Sequence, residues 1–211
     1  MTRYESNEKR NIWYEFVKRC VDILFSLIAI IVLSPLFIVI AFLVWRNDKG
    51  SVIFRRRVIG RGGKEFDMFK FRSMVMNAEQ ILDENKELLS EYKGKHKLEN
   101  DPRITKIGSF LRTTSIDELP QFFNVLFGTM SLVGPRPIHG DEAETYGSNL
   151  SRFITVKPGM TGLWQIYGRS NTTYEERVKY DMAYIKHRSI WYDFWVLVMT
   201  VPAVILKRGA I

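Results

Sequence analysis

An uncharged, strongly apolar run covers residues 23–45, and shorter segments of alternating or helical periodicity follow it. The run is about 23 residues long, enough for a helix to cross a ~30 Å hydrocarbon layer at ~1.5 Å per residue. It is too long, and too far from the N-terminus, to be the apolar region of a signal peptide. The pattern therefore predicts that this segment associates with a membrane.

Ser34 and Pro35 divide the run near its middle. Proline lacks a backbone donor and disfavours helical torsions in the residue before it, so a break is expected, and the Ser34 hydroxyl can satisfy a freed carbonyl. Basic residues flank the run on both sides: Lys18, Arg19, Arg46, Lys49, Arg55, Arg56 and Arg57. A simple span would place one basic cluster outside. We therefore favour a re-entrant helix-break-helix hairpin, with a kinked span as the alternative.

Alternation of apolar and polar residues predicts strands at 51–54 and 65–74, with a basic, glycine-containing turn at 55–63 between them. Lys70 and Arg72 share one face of the second strand. That face either meets phosphate groups or forms a solvated basic edge that discourages aggregation.

Helical periodicity follows in several segments, namely 104–114, the apolar run that ends at Gly128, 141–151 and 174–186. Residues 77–100 predict one or two surface helices broken near Gly94, and the glycine-rich stretch 158–169 predicts a loop with a short strand. The aromatic run 191–206, which Pro202 should break, fits an interfacial amphipathic helix, with a buried core helix as the alternative.

These elements predict an α+β fold that is mainly helical with a small β element. Residues 1–48 are expected to form the segment with the re-entrant hairpin, and residues 49–211 a cytoplasmic domain that ends in the interfacial helix and that contains the candidate catalytic residues described next. The net charge of +8 implies an acidic partner: nucleic acid, anionic lipid or a phosphorylated small molecule. The single cysteine, Cys20, excludes an internal disulfide and suits a reducing compartment.

Candidate chemistry is concentrated between residues 114 and 137. The neighbouring carboxylates Asp117 and Glu118 precede the apolar run, and Arg136 lies in a Gly-Pro-Arg-Pro turn. Such a pair can supply a nucleophile and a ligand for a hard cation, and a guanidinium can bind phosphate oxygens in a bidentate manner. The alternative is that the two acidic residues only complement a helix dipole. The chain contains no Walker A or dinucleotide-binding motif, and its three histidines are scattered.

A series of ordered motifs resembles the bacterial sugar transferase family, the monotopic polyprenyl-phosphate phosphoglycosyl transferases. The resemblance starts at about Val17 and covers most of the chain. Its segments are the Ser34-Pro35 hairpin, Phe69–Met74 (Phe-Lys-Phe-Arg-Ser-Met), Asn100–Thr105 (Asn-Asp-Pro-Arg-Ile-Thr), Leu111-Arg112, Ser115–Gln121 (Ser-Ile-Asp-Glu-Leu-Pro-Gln), Gly134–Pro137, Pro158–Gln165 (Pro-Gly-Met-Thr-Gly-Leu-Trp-Gln) and Gly168-Arg169. One departure is Val58, which stands where many members carry arginine.

The resemblance implies transfer of a sugar-1-phosphate from a UDP-sugar to polyprenyl phosphate through a covalent aspartyl intermediate, with release of UMP. Carried over by position, Asp117 is the nucleophile, and Glu118 joins it at a Mg²⁺ ion. Lys70, Arg112 and Arg136 contact phosphates, and Arg169 and Asp181 match positions near the active site. Long members carry additional N-terminal membrane helices. The segments 77–100 and 159–165 most resemble the undecaprenyl-phosphate galactose phosphotransferases, which points to UDP-galactose.

The expected partners are therefore a UDP-sugar, polyprenyl phosphate and an anionic membrane surface, with no nucleic acid, and a homodimer is a further candidate assembly. The expected location is the cytoplasmic face of the bacterial inner membrane. Two other functions stay open: a conventional membrane-bound glycosyltransferase that releases UDP, and a basic, membrane-tethered scaffold or nucleic-acid-binding module.

Overall fold

The computed structural model describes residues 11–95, 98, 101–168 and 172–205. In this part of the chain the fold is mainly helical, with two small two-stranded sheets, one antiparallel and one parallel. The predicted α+β class is confirmed.

The N-terminal part is a bent pair of helices, α1 (Ile12–Val32) and α2 (Ser34–Asp48), inclined to one another by 63°. Within the described ranges, no individual helix combines the length and apolar character needed to cross a membrane; only this bent pair, taken together, meets both conditions. The predicted break at Ser34 and Pro35 is confirmed, since Ser34 begins the second helix.

The bend follows from the chemistry of proline. In a continuous helix the backbone N–H of residue 35 would donate to the carbonyl of Ile31, but Pro35 has no N–H. The Ser34 hydroxyl donates to that carbonyl instead, at 2.8 Å. The freed acceptor is thus satisfied without water, as predicted.

One side of the hairpin packs on the protein and the other does not. On the inner side, Ile40 and Val44 of α2 pack against Phe71 and Leu111. Large apolar side chains on the outer side are exposed, among them Phe25, Ile28, Ile31, Ile38, Val39 and Phe42. An exposed apolar surface of this extent marks a membrane or protein contact.

Polar side chains fix α1 to the body of the protein. The buried Asp22 carboxylate accepts hydrogen bonds from the Ser131 hydroxyl at 3.0 Å and from the Leu132 backbone N–H at 2.9 Å. The Arg19 guanidinium donates to the carbonyls of Val125 and Leu126. The hairpin is therefore joined to the rest of the chain by directional contacts as well as by apolar packing.

Strand β1 (Ile53–Ile59) pairs antiparallel with β2 (Glu65–Phe71). The predicted turn over 55–63 is wrong for its first part, because the three arginines lie inside β1. Cross-strand contacts stabilise two of them there: Arg57 binds Asp67 at 3.1 Å, and the Arg55 guanidinium lies over the Phe69 ring. The turn itself is restricted to residues 60–64, where the Gly60 N–H donates to the Lys64 carbonyl.

Residues 77–100 contain α3 (Ala78–Glu84) and α4 (Lys86–Lys95). One or two helices broken near Gly94 were predicted; the structure has two, and the break lies at Asn85 and not near Gly94. The Asn85 side chain accepts from the N–H groups of Glu87 and Leu88, so it caps the start of α4.

The next elements are α5 (Lys106–Thr114), a 3₁₀ turn (Ile116–Glu118), α6 (Gln121–Phe127) and β3 (Ser131–Val133). Helix α6 ends at Gly128 as predicted, with φ of 85°, a left-handed conformation that favours glycine.

Residues 141–151 form two short helices where one was predicted, α7 (Ala143–Tyr146) and α8 (Leu150–Phe153), because Gly147 leaves the helical conformation with φ of 47°. Strand β4 (Gly159–Thr161) pairs parallel with β3, and α9 (Leu163–Tyr167) follows. The predicted loop with a short strand is therefore correct for β4 and wrong for α9.

Two longer helices complete the described chain, α10 (Tyr174–His187), which begins at a Thr173–Glu176 capping box, and α11 (Ile190–Ile205). Pro202 lies within α11 and does not end it. One face of α11 is buried at Val196, whereas Trp191 and Phe194 on another face are exposed. The buried face agrees with the core interpretation, and the membrane contact of the exposed face stays a prediction.

Candidate active site

The carboxylates Asp117 and Glu118 lie in the 3₁₀ turn between α5 and α6. Ser115, just before this turn, has φ of 58°, which is uncommon outside glycine, and it reverses the chain between the two helices. Asp117 is buried, with 11% of its side chain exposed, whereas 40% of the Glu118 side chain is exposed. The two neighbours therefore differ in environment, the usual means by which paired carboxylates acquire different roles.

Lys70 of β2 faces both carboxylates. Its Nζ lies 2.6 Å from Glu118 Oε1 and 4.0 Å from Asp117 Oδ2. The predicted contact of Lys70 with phosphates stays a prediction. The predicted shared face of Lys70 and Arg72 is wrong, because Arg72 lies beyond the end of β2, is buried, and pairs with Asp48.

Burial raises the pKa of Asp117 to about 6, because the ionised form loses hydration, and the Glu118 charge adds to this effect. Lys70 and Arg112 act in the opposite direction and favour the carboxylate. Asp117 is thus held ionised at neutral pH by fixed cations in a site that is otherwise unfavourable to charge.

Arg112 lies near the end of α5, and its Nε donates to the Ser73 hydroxyl at 2.8 Å. Ser73 lies in the Phe69–Met74 motif, but sequence reasoning gave it no role. Its backbone is also in close contact with α5, since a Cβ placed on Gly108 would lie 1.9 Å from the Ser73 carbonyl oxygen. Gly108 therefore allows the helix that carries Arg112 to approach the backbone of Ser73, just after β2.

Arg136 and Asp181 belong to a second cluster of polar residues. The Arg136 Nη1 donates to Glu142 at 2.9 Å, and its guanidinium lies over the Trp164 ring. Its backbone N–H donates to Asp181, which is fully buried and also accepts from the Tyr146 hydroxyl at 2.7 Å. Burial raises the pKa of Asp181 to about 7, against the opposing effect of these hydrogen bonds.

The Gly-Pro-Arg-Pro turn is fixed by glycines that approach one another closely. A Cβ on Gly134 would lie 2.6 Å from the Lys157 carbonyl oxygen, and one on Gly159 would lie 2.1 Å from the Gly134 nitrogen. The Gly134 N–H donates to Thr161 and the Gly159 N–H donates to Pro135. Two motifs separated in sequence therefore form one rigid unit that carries Arg136.

Sequence reasoning also gave no role to Trp164 and Arg177. The Arg177 guanidinium lies over the rings of Trp164 and Tyr174, so two arginines contact the same indole. Trp164 belongs to the sequence motif 158–165, but its position beside Arg136 and Arg177 is visible only in the folded structure. The predicted site residue Arg169 lies outside the described residues.

The acidic pair lies next to the bent helix pair α1 and α2. Ile116 and Leu119, on either side of the pair, pack against the cluster formed by α2, Phe71 and Leu111. Phe37 of α2 also makes an edge-on contact with Phe123 of α6. The apolar hairpin that carries Ser34 and Pro35 thus supports the turn that carries the carboxylates.

Within the described ranges, no cluster of three or more His, Cys, Asp or Glu side chains could hold a metal ion by itself. Asp117 and Glu118 both face the same Lys70 Nζ, so their oxygens converge on one cationic position. Mg²⁺ is commonly bound by one or two carboxylates together with substrate phosphates. The pair therefore fits a Mg²⁺ site that substrate completes.

The sequence is similar over most of its length to several named bacterial proteins. A Salmonella typhimurium protein named undecaprenyl-phosphate galactose phosphotransferase is 47% identical over 202 residues, 92% of this chain and 42% of that protein. The Sinorhizobium fredii exopolysaccharide production protein ExoY is 43% identical over 197 residues, 92% of this chain and 87% of that protein. A Klebsiella pneumoniae protein named UDP-glucose:undecaprenyl-phosphate glucose-1-phosphate transferase is 43% identical over 203 residues, 92% of this chain and 41% of that protein.

This chain spans less than half the length of the Salmonella and Klebsiella proteins. Residues 13–207 match the sequence model described as bacterial sugar transferase, which includes the hairpin, the acidic turn and the Gly-Pro-Arg-Pro turn. The chain belongs to the bacterial sugar transferase family.

Proposed function

We propose that this protein transfers a sugar-1-phosphate from a UDP-sugar to polyprenyl phosphate at a membrane surface. The observation that carries the proposal is the buried Asp117 carboxylate, which faces Lys70 and lies beside the apolar hairpin. A soluble nucleotide sugar and a very hydrophobic lipid phosphate can meet only at such a boundary. The names of the Salmonella and Klebsiella relatives support the same pair of substrates.

In the first step, an oxygen of Asp117 attacks the phosphorus that carries the sugar. An acyl phosphate bond forms, the bridging P–O bond of the diphosphate breaks, and UMP leaves with the bonding electron pair. In the second step, a phosphate oxygen of the lipid attacks the same phosphorus, which gives a polyprenyl diphospho-sugar and returns the Asp117 carboxylate. The two half-reactions share one site, which suits the single buried nucleophile.

The attack brings one anion toward another. At ~4 Å this repulsion is on the order of 4 kcal/mol per charge pair at an effective dielectric constant of 20, roughly a thousandfold in rate. Lys70 and Arg112 are cations held near Asp117 by Glu118 and Ser73 respectively, and both lower its pKa. They are therefore placed to offset the repulsion and to keep the nucleophile ionised.

Asp117 and Glu118 are the residues that would hold Mg²⁺. When bound, the cation would neutralise charge on the phosphate oxygens. Glu118 is more exposed than Asp117, and its side chain accepts a hydrogen bond from Lys70 that orients the ammonium group.

Arg136 is the next phosphate-binding candidate. Its guanidinium is oriented by Glu142 and by the Trp164 ring, and its backbone is fixed by Asp181. Asp181 is too deeply buried to contact substrate, so we assign it the positioning of Arg136.

The test is a panel of UDP-sugars, with UDP-galactose and UDP-glucose first, incubated with undecaprenyl phosphate and Mg²⁺. We expect UMP and a lipid diphospho-sugar as products. Release of UDP would favour a conventional glycosyltransferase. Salt-dependent binding of RNA or DNA without turnover would favour the non-enzymatic alternative.

A further inference from the structure

A small cavity surrounded by charged side chains lies where the N-terminal part of α1 meets the start of β3 and the residues before β4. Its lining includes six charged side chains, Glu15, Lys18, Arg19, Asp22, Lys157 and Arg188. Four of these are cations and two are anions, so the cavity carries a net positive charge.

The cavity is separate from the acidic pair. Arg19 in its wall donates to the carbonyls of Val125 and Leu126, at the C-terminal end of α6. Asp117 precedes the N-terminal end of the same helix, which is about 10 Å long at 1.5 Å per residue. The two sites therefore lie at opposite ends of α6.

Several charges around the cavity are already matched. Lys18 binds Asp193 at 2.6 Å, Glu15 binds Arg61 at 3.0 Å, and Asp22 accepts from Ser131 and Leu132. These contacts account for the anions of the wall and leave two cations to consider.

Lys157 and Arg188 are the two wall cations for which the described residues offer no hydrogen-bond acceptor. Among the residues that the structure describes, Lys157 Nζ has no hydrogen bond and no ion pair. The buried Arg188 Nη1 has no hydrogen bond either, and the nearest carboxylate, Glu15, is 4.0 Å away. Burial lowers the pKa of Lys157, and the positive charge of Arg19 adds to the effect. The cavity thus concentrates positive charge that an anion would stabilise.

The location of the cavity indicates which anion this is. Ile12, Trp13 and Phe16 on the same helix segment are exposed apolar side chains, and α1 continues from here into the apolar hairpin. A tetrahedral phosphate group suits convergent lysine and arginine donors. We propose that this cavity binds the phosphate group of an anionic phospholipid headgroup and so fixes the base of α1 at the membrane surface.

The test uses the purified full chain in detergent, titrated with phosphatidylglycerol or with diacylglycerol, which lacks the phosphate. Bound lipid is counted by native mass spectrometry. We expect retention of phosphatidylglycerol only, with an affinity about tenfold weaker in Lys157→Gln, the loss of one charge-assisted hydrogen bond. Arg188→Gln should weaken it similarly. The matched control is Lys179→Gln, because Lys179 is an exposed lysine on α10.

A thermal unfolding curve recorded without lipid shows whether each variant is folded. The lipid titration contains no UDP-sugar, so its outcome does not depend on the proposed transferase activity. Equal affinity of the wild type and Lys157→Gln for phosphatidylglycerol would overturn the site. Equal stabilisation by inorganic phosphate and by phosphatidylglycerol at the same concentration would overturn the assignment to lipid.

Discussion

The Lys70 ammonium lies 4.0 Å from the Asp117 carboxylate and is hydrogen-bonded to its neighbour, Glu118. This geometry lets Lys70 act on the Asp117 charge through space while its position is fixed by another residue. Burial raises the pKa of Asp117 to about 6, and Lys70 is the largest opposing influence.

Lys70→Met should therefore raise the pKa of Asp117 further. The attacking form is the carboxylate, so activity falls as pH decreases through this pKa, and the acidic limb of the kcat/KM profile should move to higher pH. At pH 7 we expect a loss of roughly 10–100-fold, on the scale of one charge-assisted contact. Lys70→Arg, which keeps the charge, should retain the position of the limb. An unchanged limb in Lys70→Met would show that Lys70 does not act on the nucleophile.

Gly108→Ala tests the close approach of α5 to the backbone of Ser73, just after β2. The added methyl group would collide with the Ser73 carbonyl, so we expect a destabilisation of about 1–3 kcal/mol and reduced activity, since Ser73 orients Arg112. Gly140→Ala is the matched control, because a Cβ there meets no atom within 4 Å. Thermal unfolding of both variants in detergent measures the difference. Equal melting temperatures would contradict the predicted collision.

Several residues of this candidate site could be predicted from the sequence, because short motifs and strand alternation mark them. Asp117 and Glu118 were recognisable from their motif, and Lys70 from its place in an alternating strand. Arg72, two residues further on, was misjudged because β2 ends at Phe71 and the alternation does not continue. Strand alternation carries no information about where pairing stops.

Contacts between distant segments were not accessible from the sequence. Asp22 and Ser131 are hydrogen-bonded although they are 109 positions apart in the sequence. Asp22 lies just before the apolar run, and nothing in its local sequence indicates that its carboxylate has a buried partner. The indole of Trp164 beside Arg136 and Arg177 is a similar case. The bend at Pro35 was predictable because its cause, a missing N–H, lies within one helical turn.

Asp181 should make stability depend on pH. Its pKa is about 7 in the folded protein, above the ~4 of an unfolded chain, so folding favours the protonated form. Its contribution to the free energy of unfolding is therefore complete below about pH 4 and is lost as pH rises toward 7. Asp181→Asn should remove this part of the dependence. The measurement is the melting temperature of wild type and variant between pH 5 and pH 8 in the same detergent; parallel curves would contradict the assignment.

The re-entrant hairpin predicts that both of its flanks lie on one side of the membrane. In a Cys20→Ser background, single cysteines from Thr2→Cys and Asn85→Cys should both resist an impermeant maleimide in intact spheroplasts and react after permeabilisation. Adding Pro35→Ala restores a backbone donor and should favour a straight helix, so labelling of the Thr2→Cys position in intact spheroplasts should increase. Labelling of that position without the Pro35 change would instead establish a kinked span.

The most direct measurement is the mass of the purified protein after incubation with UDP-galactose and Mg²⁺ in the absence of lipid acceptor. A covalent phospho-sugar on Asp117, formed together with UMP and discharged by undecaprenyl phosphate, is the predicted result, and Asp117→Asn should form neither product. Steady turnover to lipid diphospho-sugar by Asp117→Asn would contradict the proposal that this carboxylate carries the transferred group.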